Sequence, residues 1–286
     1  DSQNQSGSDA SLTQSSADPN FLHSEANNDE QYRAQVNGYL QANVVRDYTL
    51  SFAPSFPTIG TQTSFPVKTG VSGTCNAFYD YSSINFYNAG GGCSNTAFSV
   101  IVHHEYGHHL VAVAGSGQGM YGEGMGDVLG VLITGDNQLA RGFYSDDCVN
   151  GIRNAINDKQ YPCSGGIHDC GQLISGCVWD TVAEMEAAYP GQGVSIVAEL
   201  AINSIPMHSG TEIDPTITTD WLVLDDDDGD LSNGTPHSVQ ILAGFAMHSM
   251  DDFPPPPEYA CCIDEECSEL TFDACAEAGG AWRNGY

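Results

Sequence analysis

Apolar side chains return at roughly helical intervals through residues 26–48 (ANNDEQYRAQVNGYLQANVVRDY), which predicts an amphipathic helix. The stretch after it, through Phe65, is rich in turn formers. Residues 74–79 and 84–87 combine aromatic and β-branched residues and read as two strands of a hairpin. Gly90-Gly91-Gly92 breaks the chain before Asn95, a cap for a helix expected over 96–114 and stopped by Gly115. A second apolar helix is expected over 121–133. Its glycines at 122, 124, 126 and 130 each cost up to about 1 kcal/mol relative to Ala, so they point to close backbone approach to the preceding helix. Residues 135–166 read as loop. Helical patterns then recur over 171–188, 192–205 and 236–250, the last opened by Thr235 and Pro236 as cap and first residue. The C-terminal half is therefore expected to be mainly helical.

The two ends depart from this pattern. Residues 1–25 are Ser, Asn, Gln and Asp-rich with almost nothing to bury, the composition of a flexible arm unless a contact, for example with a neighbouring subunit, holds it. Residues 26–252 form the main domain. A Pro-rich linker spans 253–260, stiffened by Phe-Pro-Pro-Pro-Pro at 253–257. Residues 261–286 hold four cysteines in a piece too small for its own apolar core and read as a separate disulfide-stapled module.

Charge narrows the range of partners. Among 286 residues, 37 acids face 7 Lys and Arg, a formal charge of −30 that repels nucleic acid and anionic membranes. No apolar run is long enough to span a membrane. The start lacks a basic segment followed by an apolar stretch, so Asp1 reads as a mature or processed end. Ten cysteines form an even set without the C-x-x-C pairs of a structural zinc site, which favours disulfides and a secreted, extracellular location. Spacing allows local pairs such as Cys75 with Cys93, Cys148 with Cys163 and Cys170 with Cys177, although connectivity does not follow from sequence.

Within the first apolar helix lies His103-His104-Glu105-Tyr106-Gly107-His108-His109, which contains one register of H-E-x-x-H. His104 and His108, four apart, share a helix face and can bind one metal ion, with Glu105 beside them to act on a water at that metal. His103 and His109 have no such partner and are flanking residues. A catalytic zinc takes a third protein ligand, and Glu123 in Glu123-Gly-Met-Gly-Asp127 supplies it, with Asp127 on the same face to accept from the far nitrogen of a ligand histidine.

With these residues in place, the chain resembles the thermolysin-like gluzincin metallopeptidases, most closely their fungalysin-like branch. Asn76-Ala77-Phe78-Tyr79 looks like that family's substrate-gripping edge strand, which implies that Asn76 and Ala77 hold substrate backbone. Gly165-Gly166-Ile167-His168 is similar to the segment whose histidine donates to the oxyanion, which implies that role for His168. Only 14 residues separate His108 from Glu123, fewer than in thermolysin itself, so the family's catalytic Tyr does not align cleanly. Tyr121 is taken for that role, and His237 in Asn233-Gly-Thr-Pro-His237 is a lower-ranked alternative oxyanion donor. The resemblance covers about residues 26–250. It implies an α+β, two-subdomain metallopeptidase: an N-terminal edge hairpin or sheet with the metal helix, then the helical half, then the small module. The implied activity is peptide hydrolysis through a zinc-activated water, with Glu105 as general base and a peptide or protein as substrate.

The acidic run Asp225-Asp226-Asp227-Asp228-Gly229-Asp230 does not fit an EF-hand, because Gly229 at the sixth position would put Leu224 at the first. A different calcium site built from Asp226, Asp228 and Asp230 stays open, against a solvated turn. A competing function class also stays open: an extracellular structural subunit on a peptidase-like domain, self-assembling into an oligomer or filament through the arm and the Cys-rich module. That module could also bind polysaccharide.

Overall fold

Asp29 starts the first long helix by accepting from the backbone N–H groups of Gln31 and Tyr32, so the helix begins later than its apolar pattern suggests. It runs Glu30–Phe52 (α1) and buries Ala34, Gly38, Ala42, Val45 and Thr49, one stripe at helical spacing. The computed structural model describes residues 2–11 and 29–251, and beyond them only the backbone of three short strands.

α1 covers a four-stranded sheet of Ser2–Asn4 (β1), Val67–Val71 (β2), Ala77–Tyr79 (β3) and Ile84–Tyr87 (β4), in the order β1-β2-β4-β3. β1, β2 and β4 are parallel; β3 is antiparallel to β4 and forms an edge. The hairpin is thus present, but its first strand starts at Ala77, because Gly73 and Cys75 take positive φ. β1 and β2 lie outside the expected elements. Where composition suggested an arm free or held by a neighbour, its first residues pair within the same chain. Ser2, Gln3 and Asn4 lie opposite Val67, Lys68 and Thr69, and the buried Gln35 side chain bonds Ser2 O, Asp9 Oδ1 and the Ala10 N–H.

The helical layer follows. Ser99–Ala114 (α2) ends on Gly115 in the left-handed region, as expected, but it starts at Ser99 with no side-chain cap, because Asn95 accepts from Ala97 N and donates to Glu30 instead. Gly119–Thr134 (α3) packs between α2 and Ile167–Ala188 (α4). Close approach explains its glycines: a Cβ on Gly107 would meet Gly126 Cα at 2.7 Å, and one on Gly126 would meet the His104 ring at 2.6 Å. Between α3 and α4 lie the short strands Gln138–Leu139 (β5) and Arg153–Asn154 (β6), inside the stretch expected to be loop. Gly193–Ser204 (α5), Thr216–Asp225 (α6) and Ser238–Ala246 (α7) complete the core, in which Trp221 of α6 packs edge-on against Phe245 of α7 at 5.0 Å. α7 is capped at His237 rather than Thr235.

Among the described residues two disulfides form, Cys75–Cys93 and Cys163–Cys170. The second replaces the pairings 148–163 and 170–177. α4 begins at Ile167, which brings Cys170 in its first turn to 5.7 Å (Cα–Cα) from Cys163, while Cys177 is buried two turns further in and Cys148 is on the surface.

Tyr259–Ile263 (β7), Glu266–Leu270 (β8) and Ala281–Trp282 (β9) form a sheet in the order β8-β7-β9, so the Cys-rich piece contains regular backbone pairing. Its cysteine side chains and most of the Pro-rich linker lie outside the described residues. No helix among the described residues is long and apolar enough to cross a membrane.

Candidate active site

α2 and α3 cross with their glycines in contact, which lets the side chains of His104, His108 and Glu123 converge. His104 Nε2 lies 3.3 Å from Glu123 Oε2, and His108 Nε2 lies 3.7 Å from Glu123 Oε1. The rings of the two histidines meet edge-on at 4.9 Å. Each has its far nitrogen fixed: His104 Nδ1 bonds Asp127 Oδ1 at 2.8 Å, and His108 Nδ1 bonds Gln118 Oε1 at 2.7 Å. With those partners accepting, both Nδ1 atoms carry a proton and both Nε2 atoms face Glu123.

These donor atoms fit a metal ion on their own terms. Glu123 Oε2 is buried without a hydrogen-bond partner, an orphan that a cation between the three side chains would satisfy. Around it, Glu105, Glu123 and Asp127 supply three carboxyl groups against one guanidinium, that of Arg153, surroundings suited to a cation. Burial acts on His104 in the opposite sense, yet the carboxylates of Asp127 and Glu123 beside it hold it up at about 10, which reports a strongly negative potential there. Burial would raise Glu123, but the histidines beside it hold it at about 2. Two imidazoles and one carboxylate are the ligand chemistry of hydrolytic zinc.

Glu105 is 5% exposed and faces the same cavity of about 390 Å³; burial pushes its carboxyl up to about 7. The edge strand lines the cavity with Asn76, Ala77 and Tyr79, and Ile101, Phe143 and Ile152 add apolar surface. His168, in the first turn of α4, enters from the rim with its side chain 63% exposed and Nε2 3.3 Å from Glu123 Oε2. The site therefore gathers His104, Glu105, His108, Glu123, Asp127, Asn76, Ala77 and His168.

Tyr121, His237 and the acidic run lie elsewhere. Tyr121 is fully buried and stacks on His208 at 3.9 Å, outside the cavity. Two residues before Glu123, it is turned roughly 200° round the helix, so a ligand at 123 directs 121 the other way. Tyr121→Phe is accordingly expected to leave peptide turnover within about twofold of wild type, as initial rates at matched zinc content will show. His237 caps α7 and bonds Asp225 at 2.5 Å, remote from the cavity lining. In the acidic run, the carboxylates that cluster are those of Asp226, Asp227 and Asp228. Asp230 instead caps a short 3-10 turn by accepting from Ser232 N, so the trio of Asp226, Asp228 and Asp230 does not assemble.

Two residues were missed. Gln118 clamps His108 from both ends, its Nε2 donating to His108 O at 3.0 Å as its Oε1 accepts from the ring. Arg153 in β6 makes two 2.6 Å bonds to Asp127. A signal existed for Arg153 alone, as one of only seven cations in the chain.

No family model matches the chain, and no curated protein matches it. Twenty chains among solved structures do. One is the precursor of protealysin, a metalloproteinase from Serratia proteamaculans, with a TM-score of 0.60 over 87% of this chain and 86% of that one, at 13% sequence identity. A likeness at that identity is one of fold alone, and the fold shared is that of this metalloproteinase precursor.

Proposed function

We propose that the protein is a secreted zinc-dependent endopeptidase. The observation that carries this is the convergence of His104, His108 and Glu123 beside Glu105, on the floor of a cavity walled by an open β-strand edge. Zinc held there would act as a Lewis acid toward water and toward the scissile carbonyl. A peptide lying along β3 would pair with the strand edge, with Asn76 and Ala77 holding its backbone. Glu105 takes the proton from the attacking water and passes it to the leaving amine. His168 donates from Nε2 to the carbonyl oxygen as negative charge grows on it, in exchange for its present neighbour Glu123. Asp127 and Gln118 hold the two imidazoles in one tautomer and one orientation. The disulfides Cys75–Cys93 and Cys163–Cys170 support an oxidising, extracellular setting. The fungalysin-like placement within the fold rests on the sequence motifs alone.

Elemental analysis and casein cleavage test the reading together. Purified protein is expected to carry close to one zinc per chain and to cleave casein, losing activity with 1,10-phenanthroline and regaining it when zinc is restored. Cleavage indifferent to the chelator, or zinc-loaded protein without activity, defeats the proposal. His168→Ala is expected to lower kcat/KM by roughly a hundredfold or more without changing zinc content, the usual cost of one oxyanion donor; steady-state kinetics on a fluorogenic peptide measures it.

A further inference from the structure

We propose that a second cavity, behind the metal-ligand helix, binds an apolar group bearing a free carboxylate, such as the hydrophobic C-terminal residue of a peptide. It has a volume of about 360 Å³ and lies between α1 and the segment before β2, with Tyr106 of α2 as its back wall. Tyr106 sits two residues from both His104 and His108, roughly 200° round the helix, so this cavity faces away from the metal ligands.

Its chemistry is that of an amphipathic anion site. Phe65 forms an apolar wall, packed edge-on to Tyr106 at 5.5 Å and fixed by stacking on His109 at 4.0 Å. Tyr39 of α1, 55% exposed, extends the wall at the surface. At the rim stands Arg46, and none of the lining residues is acidic, in a chain with 37 acids and 7 cations. Asp47 holds Arg46 Nη1 at 3.0 Å, but that carboxylate is 71% exposed and such pairs contribute little. Arg46 Nε and Nη2 have no protein partner among the described residues, which leaves one side of the guanidinium fork to a carboxylate. Gln62 adds a donor. Its Oε1 accepts from His109 Nε2 at 3.1 Å, which commits the oxygen inward and leaves the Nε2 amide hydrogens available on the cavity side. An aromatic or aliphatic body against Phe65 and Tyr106, with its carboxylate on Arg46 and Gln62, satisfies both halves of the site.

The inference stands independently of peptidase activity, because binding needs no turnover. N-acetyl-L-phenylalanine and its uncharged amide are titrated calorimetrically into the full zinc-loaded chain. Saturable binding of the acid is expected, with the amide at least about tenfold weaker, since the charge-assisted bonds to Arg46 are lost. Arg46→Gln, which keeps a polar side chain at this half-buried position, is expected to weaken the acid by the same factor, and Arg46→Lys to fall between. Equal affinity for acid and amide, no saturable binding, or an Arg46→Gln protein that binds as wild type, which would move the ligand to the cavity beside Arg153, overturns the proposal.

Discussion

Glu105→Gln is expected to reduce peptide cleavage by roughly 10²–10⁴-fold while zinc content and thermal midpoint stay at wild-type values. Glutamine has the same shape and fits the same buried position, so packing is not at stake. What it loses is the ability to take a proton. The native carboxyl is suited to that task because burial raises it to about 7, where it is basic enough to accept a proton from water and acidic enough to pass it on near neutral pH. Glu105 is not one of the three side chains whose atoms converge as a ligand group, so metal should be retained. The measurement is casein or fluorogenic-peptide cleavage alongside elemental analysis of the same sample. A variant with full zinc and more than a tenth of wild-type turnover would show that another group does the proton transfer.

The residues of the candidate site that could be read in the sequence are those whose relation is local. His104 and His108 sit four apart on one helix, and Glu123 and Asp127 repeat that spacing on the next, so a 3.6-residue period places both pairs without knowledge of the fold. The glycines at 124 and 126 added that the two helices touch. The same period also sorts the spare histidines: His103 turns to Gln41 on α1 at 2.8 Å and His109 to Tyr79 and Gln62, each away from the ligand group. Tyr121, two residues from a ligand, falls on the far side of its helix and packs on His208, outside the cavity lining.

What remained hidden depends on contacts between distant segments. Arg153 reaches Asp127 across 26 residues from a two-residue strand that no periodicity marks. Gln118 lies in the connection that the unusual 14-residue spacing makes hard to align. α6 escaped because Thr-Ile-Thr-Thr favours extended backbone by propensity; burial of Ile217, Thr218, Trp221 and Leu222 overrides it. β1 was invisible for a related reason. Ser2-Gln3-Asn4 has no strand propensity, and its place is set by the open edge of β2 and by the buried Gln35, which finds partners in Ser2, Asp9 and Ala10.

Asp127→Ala is expected to cost about 3–5 kcal/mol of stability and to weaken zinc binding by roughly 10–100-fold, two effects with separate origins. The carboxylate is almost fully buried and serves two partners at once, accepting from His104 Nδ1 through Oδ1 and from Arg153 through both oxygens. Burial works against its charge, yet Arg153 and His104 hold it at about 2, so the ionised form is the one the fold needs. Truncation strands Arg153, whose side chain is only 14% exposed, as a cation without its partner; that accounts for the stability loss. It also frees the His104 ring to rotate and to change tautomer, and that accounts for the loss of zinc. A second substitution separates the two. In Asp127→Ala with Arg153→Met, the stranded charge is gone, so the denaturant midpoint should recover much of its loss while zinc affinity stays low. Asp127→Asn should do the reverse in part, keeping an acceptor for His104 but leaving Arg153 without a counter-charge. Urea unfolding of zinc-free protein and competition with a chromogenic chelator read the two quantities independently. If the double variant regained zinc affinity together with stability, the link from Asp127 through His104 to the metal would have to be abandoned, because a purely structural role for the carboxylate would then explain both losses.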